Sequence, residues 1–230
     1  SREPKDQSFV NDLNEIAFDY LKSDPALARK LALQASKIAD SLNFPKGYSR
    51  SLNVTGSSYW VVGDYESALR YYQLSAKESQ SLNDKVGLSG AFHNMGEVYK
   101  KVGNYRKSIE YLNYSLELDQ QNQLHYAITL FNIGEAYLLL QKEDSALLYF
   151  DKAMEQAIPV NDKRTMAYVN QNKGKIKFAN KEYDEALAYY EKSEELWRSQ
   201  GDIRSQIQIY QDFAELYVTL HQGKKAEQYI

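Results

Sequence analysis

The chain alternates between segments with helical periodicity and short breaks. One segment carries apolar or small residues at 130, 133, 134 and 137, which share a single face of a helix. The segment 145–157, SALLYFDKAMEQA, returns to the same spacing and contains no helix breaker. At Gly63-Asp64 and Gly103-Asn104, a glycine that can end one helix in the left-handed conformation precedes a residue that can cap the next helix. The pattern predicts pairs of α-helices and indicates no β-strand.

The predicted helix pairs repeat along the chain. A small residue recurs at spacings of 40, 38, 40 and 40, in a column that contains Gly56, Gly96, Gly134, Gly174 and Ala214. Twelve residues later, a second small column contains Ala68, Ser108, Ala146, Ala186 and Ala226. A fixed period in this range is typical of a solenoid. We predict an all-α solenoid formed by one array over 1–230, with repeats at 9–47, 48–87, 88–125, 126–165 and 166–205 and a partial repeat at 206–230.

The small columns also account for the surplus of tyrosine, which occurs 20 times. A glycine on the first helix and an alanine on the second let the two backbones approach where the helices cross. The tyrosines three residues after the first column, which fill the space beside it, are Tyr59, Tyr99, Tyr137 and Tyr217. We therefore interpret most of the tyrosines as part of the scaffold.

These columns resemble the tetratricopeptide repeat family. The resemblance rests on G-x-x-Y at Gly56/Tyr59, Gly96/Tyr99 and Gly134/Tyr137, and on A-x-x-x-aromatic at Ala68/Tyr72, Ala146/Phe150 and Ala186/Tyr190. It covers essentially the whole chain and implies a right-handed superhelix, although the period exceeds the usual 34 residues by about six. In the fifth repeat, Lys173 and Lys177 replace an apolar residue and a tyrosine. Either these lysines bury their stems, or the helix is rotated locally.

The repeat columns also predict which residues line the concave surface of such an array. If the column glycine is place 8, places 4, 7, 8 and 11 point into the helix pair, and places 2, 6, 9 and 13 point the opposite way. The candidate ligand-binding residues at those places are Arg50, Asn94, Glu97, Lys101, Asn132, Glu135, Tyr168, Asn172, Lys175 and Asp212.

Asparagine at place 6 of three successive repeats is the most specific functional signal. An amide both donates and accepts, so a row of amides can bind the backbone of a peptide without reading its sequence. In the family that this chain resembles, asparagines at this place hold extended peptides. Alternatively, each amide caps a neighbouring carbonyl or is solvated. No pair at places 2 and 6 is doubly basic, so a clamp for an acidic C-terminal tail is not expected.

A second row of aromatic residues lies on the second helices, at Tyr71, Tyr111, Tyr149 and Tyr189. We interpret it as packing between successive repeats. The alternative is an exposed strip that binds a partner or a second copy of the chain. We expect a monomer or a weak homodimer.

Composition and charge narrow the possible activities. A net charge of −3 does not favour nucleic acid or anionic lipid as a partner, and no apolar run is long enough to span a bilayer. His93, His125 and His221 are scattered without metal-ligand spacing, there is no cysteine, and no glycine-rich phosphate loop is present. The lysines at 173, 175, 177 and 181 are a weak anion site, because acidic residues follow them. We expect no cofactor, no metal and no catalysis.

These observations favour a non-enzymatic module that binds a protein or peptide partner. Residues 9–47 and the repeats that follow resemble the extracytoplasmic N-terminal region of bacterial, Bacteroidetes-type signalling proteins, such as histidine kinases and nucleotide cyclases. That resemblance implies a periplasmic sensor region of a longer protein. The alternatives are a cytoplasmic adaptor or regulator that binds a signalling peptide or a transcription-factor segment, and a structural assembly subunit.

Overall fold

The computed structural model describes residues 6–118 and 123–229, and within these residues the chain consists of α-helices joined by short turns, with no β-strand. The helices are α1 Gln7–Tyr20, α2 Pro25–Ser41, α3 Pro45–Val61, α4 Tyr65–Ser81, α5 Lys85–Lys101, α6 Tyr105–Leu118, α7 Gln123–Leu139, α8 Glu143–Ala157, α9 Lys163–Ala179, α10 Tyr183–Gln200, α11 Ile203–Thr219 and α12 Gly223–Ala226, followed by a 3₁₀ turn at Glu227–Tyr229. The predicted all-α fold of paired helices is confirmed. The helices begin slightly before the predicted repeat boundaries; for example, α3 begins at Pro45 and the repeat was placed from 48.

The chain divides into two compact units, unit 1 over 1–120 and unit 2 over 121–230. In unit 1, α3 packs against α1, α2, α4 and α5. In unit 2, α9 packs against α7, α8, α10 and α11. Within its own unit, each of α3 and α9 therefore contacts its own second helix and the first helices of the repeats beside it, as in a solenoid. The single array over 1–230 stays a prediction.

The turns within the repeats place one residue in the left-handed region. Gly63 and Gly103 have φ of 80° and 79°, and the side chains of the residues after them accept hydrogen bonds from the backbone of the next helix, as predicted. The equivalent place in later repeats holds Gln141, Lys181 and His221, whose φ angles are 58°, 63° and 57°. The turn geometry is thus kept even where the glycine is lost.

The small column holds the helices at close distance. A Cβ atom added at Gly174 would lie 2.5 Å from the ring of Tyr190, and one at Gly56 would lie 2.7 Å from the ring of Tyr72. Real Cβ atoms do not approach other atoms so closely, so both positions exclude any larger residue unless the rings move. The predicted role of the column is confirmed.

The two rows of tyrosines form stacked pairs. The rings of Tyr59 and Tyr71 lie 5.5 Å apart and nearly parallel, and the same stacking recurs in three other repeats; those pairs are Tyr99/Tyr111, Tyr137/Tyr149 and Tyr217/Tyr229. Each pair joins the two halves of one repeat, for example α3 and α4. Three residues of the second row, Tyr71, Tyr111 and Tyr149, thus stack within their own repeats, and packing of this row between successive repeats stays a prediction.

Repeat five keeps the register of the others despite its lysines. Gly174 still contacts Tyr190, as Gly56 contacts Tyr72. The Nζ atom of Lys177 lies 2.6 Å from Glu182 and 2.9 Å from Glu185, and Lys173 pairs with Asp151. The side chains of Lys173 and Lys177 are only 13% and 24% exposed, so the lysines bury their stems, and the alternative of a local rotation is not needed. The same pairing weakens the lysine cluster as an anion site.

Buried serines supply a second, polar contact within repeats. The Oγ atom of Ser49 lies 3.1 Å from that of Ser75 and 2.7 Å from that of Ser79. In the next repeat, the Oγ atoms of Ser89 and Ser115 lie 2.9 Å apart. Each hydroxyl is buried but has a partner, which avoids the cost of an unpaired polar group.

Candidate functional site

Three helices of unit 1 present their residues to one open cavity of about 810 Å³, called here the first cavity. Residues one or two turns apart line it on each helix, because such residues share a helix face. It is lined by Asn11, Glu15 and Phe18 on α1, by Lys46, Ser49, Arg50, Asn53 and Val54 on α3, by Val86, Gly87 and Gly90 on α5, and by Phe44, Ser75 and Asp84. Arg50, a predicted site residue, therefore lies at an open surface.

The first cavity combines exposed apolar side chains with polar ones. Phe18 is 62% exposed and Val86 is 71% exposed, which is unusual for large apolar residues that line a concavity. An Nη2 atom of Arg50 lies 3.5 Å from an Oε1 atom of Glu15. The carboxylate of Asp84 accepts a hydrogen bond of 3.2 Å from the backbone N–H of Gly87 at the start of α5. Such a mixture suits a ligand with both apolar and polar groups.

A second cavity of about 240 Å³ lies further along α3 and α5. Its lining residues are Leu21, Lys22, Ser57, Trp60, Val61, Tyr72, Asn94 and Glu97. The predicted residues Asn94 and Glu97 are therefore adjacent to a cavity, and each is half-buried. The amide of Asn94 donates a 3.0 Å hydrogen bond to the side-chain oxygen of Asn53, which lines the first cavity. This bond thus links residues of the two cavities.

Two interactions hold the groups of the second cavity. The Nζ atom of Lys100 lies 2.8 Å from the Oε1 atom of Glu97 and forms an ion pair with it. The hydroxyl of Tyr72 donates to the hydroxyl of Ser57 over 3.1 Å. Burial raises the pKa of Tyr72 to about 12, and the charge of Glu97 acts in the same direction. Tyr72 therefore remains a neutral donor at physiological pH. The nearby predicted residue Lys101 is exposed.

A third cavity of about 450 Å³ adjoins the first, since the two share Phe44, Lys46, Asp84 and Val86. Its other lining residues are Pro45, Leu82, Asn83 and Lys85. Lys46 and Arg50 lie one helical turn apart on α3, and Lys85 adds another cation at this edge. Within the described part of the chain, Lys46 makes no ion pair.

In unit 2, the predicted asparagines are less open than expected. Asn132 on α7 is only 5% exposed, so the expectation that its amide is open to a ligand is wrong. Asn172 on α9 is half-buried, and its amide donates a 3.0 Å hydrogen bond to the carbonyl of Tyr168 in the preceding turn. For Asn172, the alternative that the amide caps a neighbouring carbonyl therefore describes the structure, whereas Asn94 bonds to the side chain of Asn53. Glu135 lies half-buried on α7.

The remaining predicted residues of unit 2 contact one another or the core. Asp212 accepts a 2.5 Å hydrogen bond from the side-chain amide of Gln171 and lies 3.5 Å from the Nζ atom of Lys175. Burial raises the pKa of Asp212, whereas Gln171 and Lys175 act in the opposite direction. Tyr168 packs its ring against Phe131 and meets the edge of Trp197 at a centroid distance of 4.8 Å. Its ring is therefore partly a core element.

Sequence reasoning missed several residues of the first cavity. Phe18, Lys46, Asn53 and Val86 line it but were not among the candidates. Lys46 lies four residues before place 2, where the predicted concave surface was taken to begin. The basic pair of Lys46 and Arg50, four residues apart on one helix, was the signal that could have found it.

The sequence matches the model of a known protein family. The family model described as "Tetratricopeptide repeat" matches residues 88–158 and 165–230, which together are more than half of the chain. The chain belongs to the tetratricopeptide repeat family. A search of the curated proteins gives no match.

Solved structures of other tetratricopeptide repeat proteins share this fold. The apo form of the quorum sensor NprR from B. thuringiensis is 24% identical, with a TM-score of 0.80 over 96% of this chain and 63% of that chain. A Rap protein complexed with competence and sporulation factor is 15% identical, with a TM-score of 0.75 over 96% and 62%. A signal transduction ATPase with a tetratricopeptide repeat sensor, from Pyrococcus horikoshii, is 17% identical, with a TM-score of 0.80 over 97% and 35%. The chain thus spans less than two thirds of each.

No helix in the described ranges 6–118 and 123–229 has both the length and the apolar character needed to cross a membrane.

Proposed function

We propose that this chain is a non-catalytic module that binds a protein or peptide segment in the first cavity of unit 1. The observation that carries the proposal is the exposure of Phe18 and Val86 in a concave, partly polar cavity of about 810 Å³. Exposed apolar residues that line a concavity are typical of sites that a ligand covers. Among the place-6 asparagines, Asn94 is the one that contributes. Its hydrogen bond to Asn53 can be replaced by hydrogen bonds to the backbone of the ligand.

The similar structures support a peptide ligand. One of them, the Rap protein, is described as complexed with competence and sporulation factor, and another, NprR, is described as a quorum sensor. The buried faces of the helices pack within the fold, which leaves the faces of α1, α3 and α5 that line the first cavity for recognition.

Peptide selection tests the proposal. Random linear peptides displayed on phage are selected on the wild-type protein, and the selected peptides are then measured by calorimetry against wild type and Gly90→Trp. Gly90 lines the first cavity and has open space beside it, so the indole fills the cavity without a clash in the fold. We expect Gly90→Trp to abolish binding of the selected peptides.

Gln73→Trp is the matched control, because Gln73 is exposed on α4, a helix of the same unit, and does not line the three cavities. It should bind as wild type does. If no peptide is selected, or if Gly90→Trp binds the selected peptides as well as wild type does, the first cavity is not a peptide site.

We further propose that the module is the sensing region of a larger bacterial signalling protein. The support is the resemblance of residues 9–47 to such regions and the description of two similar structures as sensors. The coding sequence on both sides of the region tests this proposal. A signal peptide and a later hydrophobic span would support a periplasmic sensor, whereas their absence would favour a cytoplasmic adaptor.

A further inference from the structure

We propose that the segment which binds in the first cavity carries an acidic side chain next to a large apolar one, with the carboxylate bound by Arg50 and Lys46 and the apolar group seated over Gly90. This inference rests on the proposed function and names the chemical class of its ligand. It depends on three features of the cavity: an open glycine, a pair of cations four residues apart on α3 and exposed apolar walls.

Gly90 has no packing role in the fold. A Cβ atom added there would meet nothing within 4 Å, whereas one at Gly56 or Gly96 would lie within 3 Å of a partner side chain. A glycine inside a helix costs about 1 kcal/mol relative to alanine. Since the packing of α5 does not require Gly90, the space beside it is an opening through which a ligand can reach the helix backbone.

The charges near Gly90 favour an anionic group. Arg50 has five N–H donors, and among residues 6–118 and 123–229 it makes a single ion pair, of 3.5 Å, with Glu15. Lys46 also lines the first cavity, and Lys85, at the same end of α5, lines the adjoining third cavity. Of the two carboxylates that line the first cavity, that of Asp84 already accepts the N–H of Gly87. Arg50 can therefore bind an incoming carboxylate through two parallel hydrogen bonds.

The apolar residues are placed to receive the neighbouring side chain. Val86 lies one helical turn before Gly90 on α5, and Phe18 and Phe44 line the same cavity. An apolar side chain that enters over Gly90 buries these exposed surfaces, at roughly 25 cal/mol for each Å² removed from water. A purely acidic segment would leave Phe18 and Val86 in water, and a purely apolar one would leave Arg50 without a new partner.

The peptides selected from the phage library test the inference through their sequences and their response to four variants. We expect enrichment of Asp or Glu beside Leu, Ile, Phe or Met. Arg50→Gln should weaken binding by at least about ten-fold, because a hydrogen-bonded charge pair is lost. Lys46→Gln should weaken it less, because an ammonium has no fixed fork of donors. Affinity should also fall as salt concentration rises.

Glu15→Gln separates ligand binding from a structural effect. It releases Arg50 from its intramolecular ion pair, so the selected acidic peptides should bind several-fold more tightly than they bind wild type. Arg70→Gln removes an exposed charge from α4 and should change nothing.

The outcomes distinguish this inference from the proposed function. If selected peptides lose affinity for Gly90→Trp but lack acidic residues, or are insensitive to Arg50→Gln, or bind Glu15→Gln more weakly, the inference is wrong and peptide binding stands. If no peptide is selected, peptide binding itself fails.

Discussion

Single residues decide how closely the helices of a repeat can pack. The serine pairs illustrate this, since Ser49 and Ser75, which are 26 residues apart, hydrogen-bond across a buried interface. From the sequence alone, these serines count as polar positions that weaken a helical pattern. Their pairing depends on which residue faces them from the second helix, and only the three-dimensional arrangement supplies that information.

The closely packed Gly56 and the open Gly90 should respond in opposite ways to replacement by alanine, which adds one methyl group. Gly56→Ala should lower the free energy of unfolding, because the Cβ atom would clash with the ring of Tyr72 and overpacking costs about 1–3 kcal/mol. Gly90→Ala should raise it by about 0.5–1 kcal/mol, because its site is open and alanine favours the helix. Urea denaturation followed by circular dichroism measures both. Equal effects of the two substitutions would contradict the packing described for the glycine column.

Because Asp212 is buried, we expect the stability of the fold to depend on pH. Burial raises its pKa above the ordinary value of 3.8, so folding favours the protonated form, and stability is lost as pH rises through that pKa. Asp212→Asn removes this loss, and the side-chain oxygen of the asparagine can still accept the hydrogen bond from Gln171. We expect a gain of up to about 1 kcal/mol at pH 7 that disappears below pH 3. Thermal unfolding across this range is the measurement, and a gain of equal size at every pH would exclude ionisation as the cause.

At the scale of the helix pair, the stacked tyrosines are the recurring element. Four repeats have a stacked pair. In the fifth, Lys177 occupies the sequence place of the first tyrosine, and the ring of Tyr189 faces the Nζ atoms of Lys173 and Lys192 instead. Glu182 and Glu185 raise the pKa of Lys177 and fix its ammonium at the surface. The fifth repeat thus replaces a ring contact with ion pairs that water screens.

Lys177→Tyr should restore the missing stack. Its ring would face Tyr189 as Tyr137 faces Tyr149, and an aromatic pair contributes about 0.5–1.5 kcal/mol. The lost ion pairs are partly exposed and offset little of this gain. We expect a higher melting temperature, measured by calorimetry. Lys177→Gln, which removes the ion pairs without adding a ring, is the control and should not be stabilised; a gain of equal size in both variants would refute stacking.

For the whole molecule, the sequence predicted the helix pairs, their columns and the family, because these depend on contacts that recur in every repeat. The sequence predicted the candidate site less accurately than the fold. The hydrogen bonds between Asn94 and Asn53 and between Asp212 and Gln171 join neighbouring repeats. In each bond, the two residues are 41 positions apart in the sequence. Such contacts depend on both partners at once, so a place-by-place comparison cannot separate an open amide from a bonded one. The sequence analysis also missed the Lys46 end of the first cavity, because Lys46 lies four residues before place 2, where the predicted concave surface begins.

The oligomeric state is a prediction for the whole molecule. Tyr71, Tyr111 and Tyr149 each stack on a tyrosine of the same repeat, so they do not form an apolar strip that needs a second chain. We expect a monomer with a mass near 26.6 kDa at micromolar concentrations. Light scattering after size exclusion measures this mass. A stable dimer that Tyr71→Ala and Tyr111→Ala disrupt would show that the strip is an interface.

The two tryptophans of the chain fall in different units: Trp60 lines the second cavity, and Trp197 is fully buried in unit 2. Their emission therefore gives the protein a built-in optical reporter in each unit. In Trp197→Phe, the remaining emission should shift when a bound segment extends to Asn94. In Trp60→Phe, it should stay constant until unit 2 unfolds. Ligand binding to unit 1 and unfolding of unit 2 can thus be followed separately without attaching a dye.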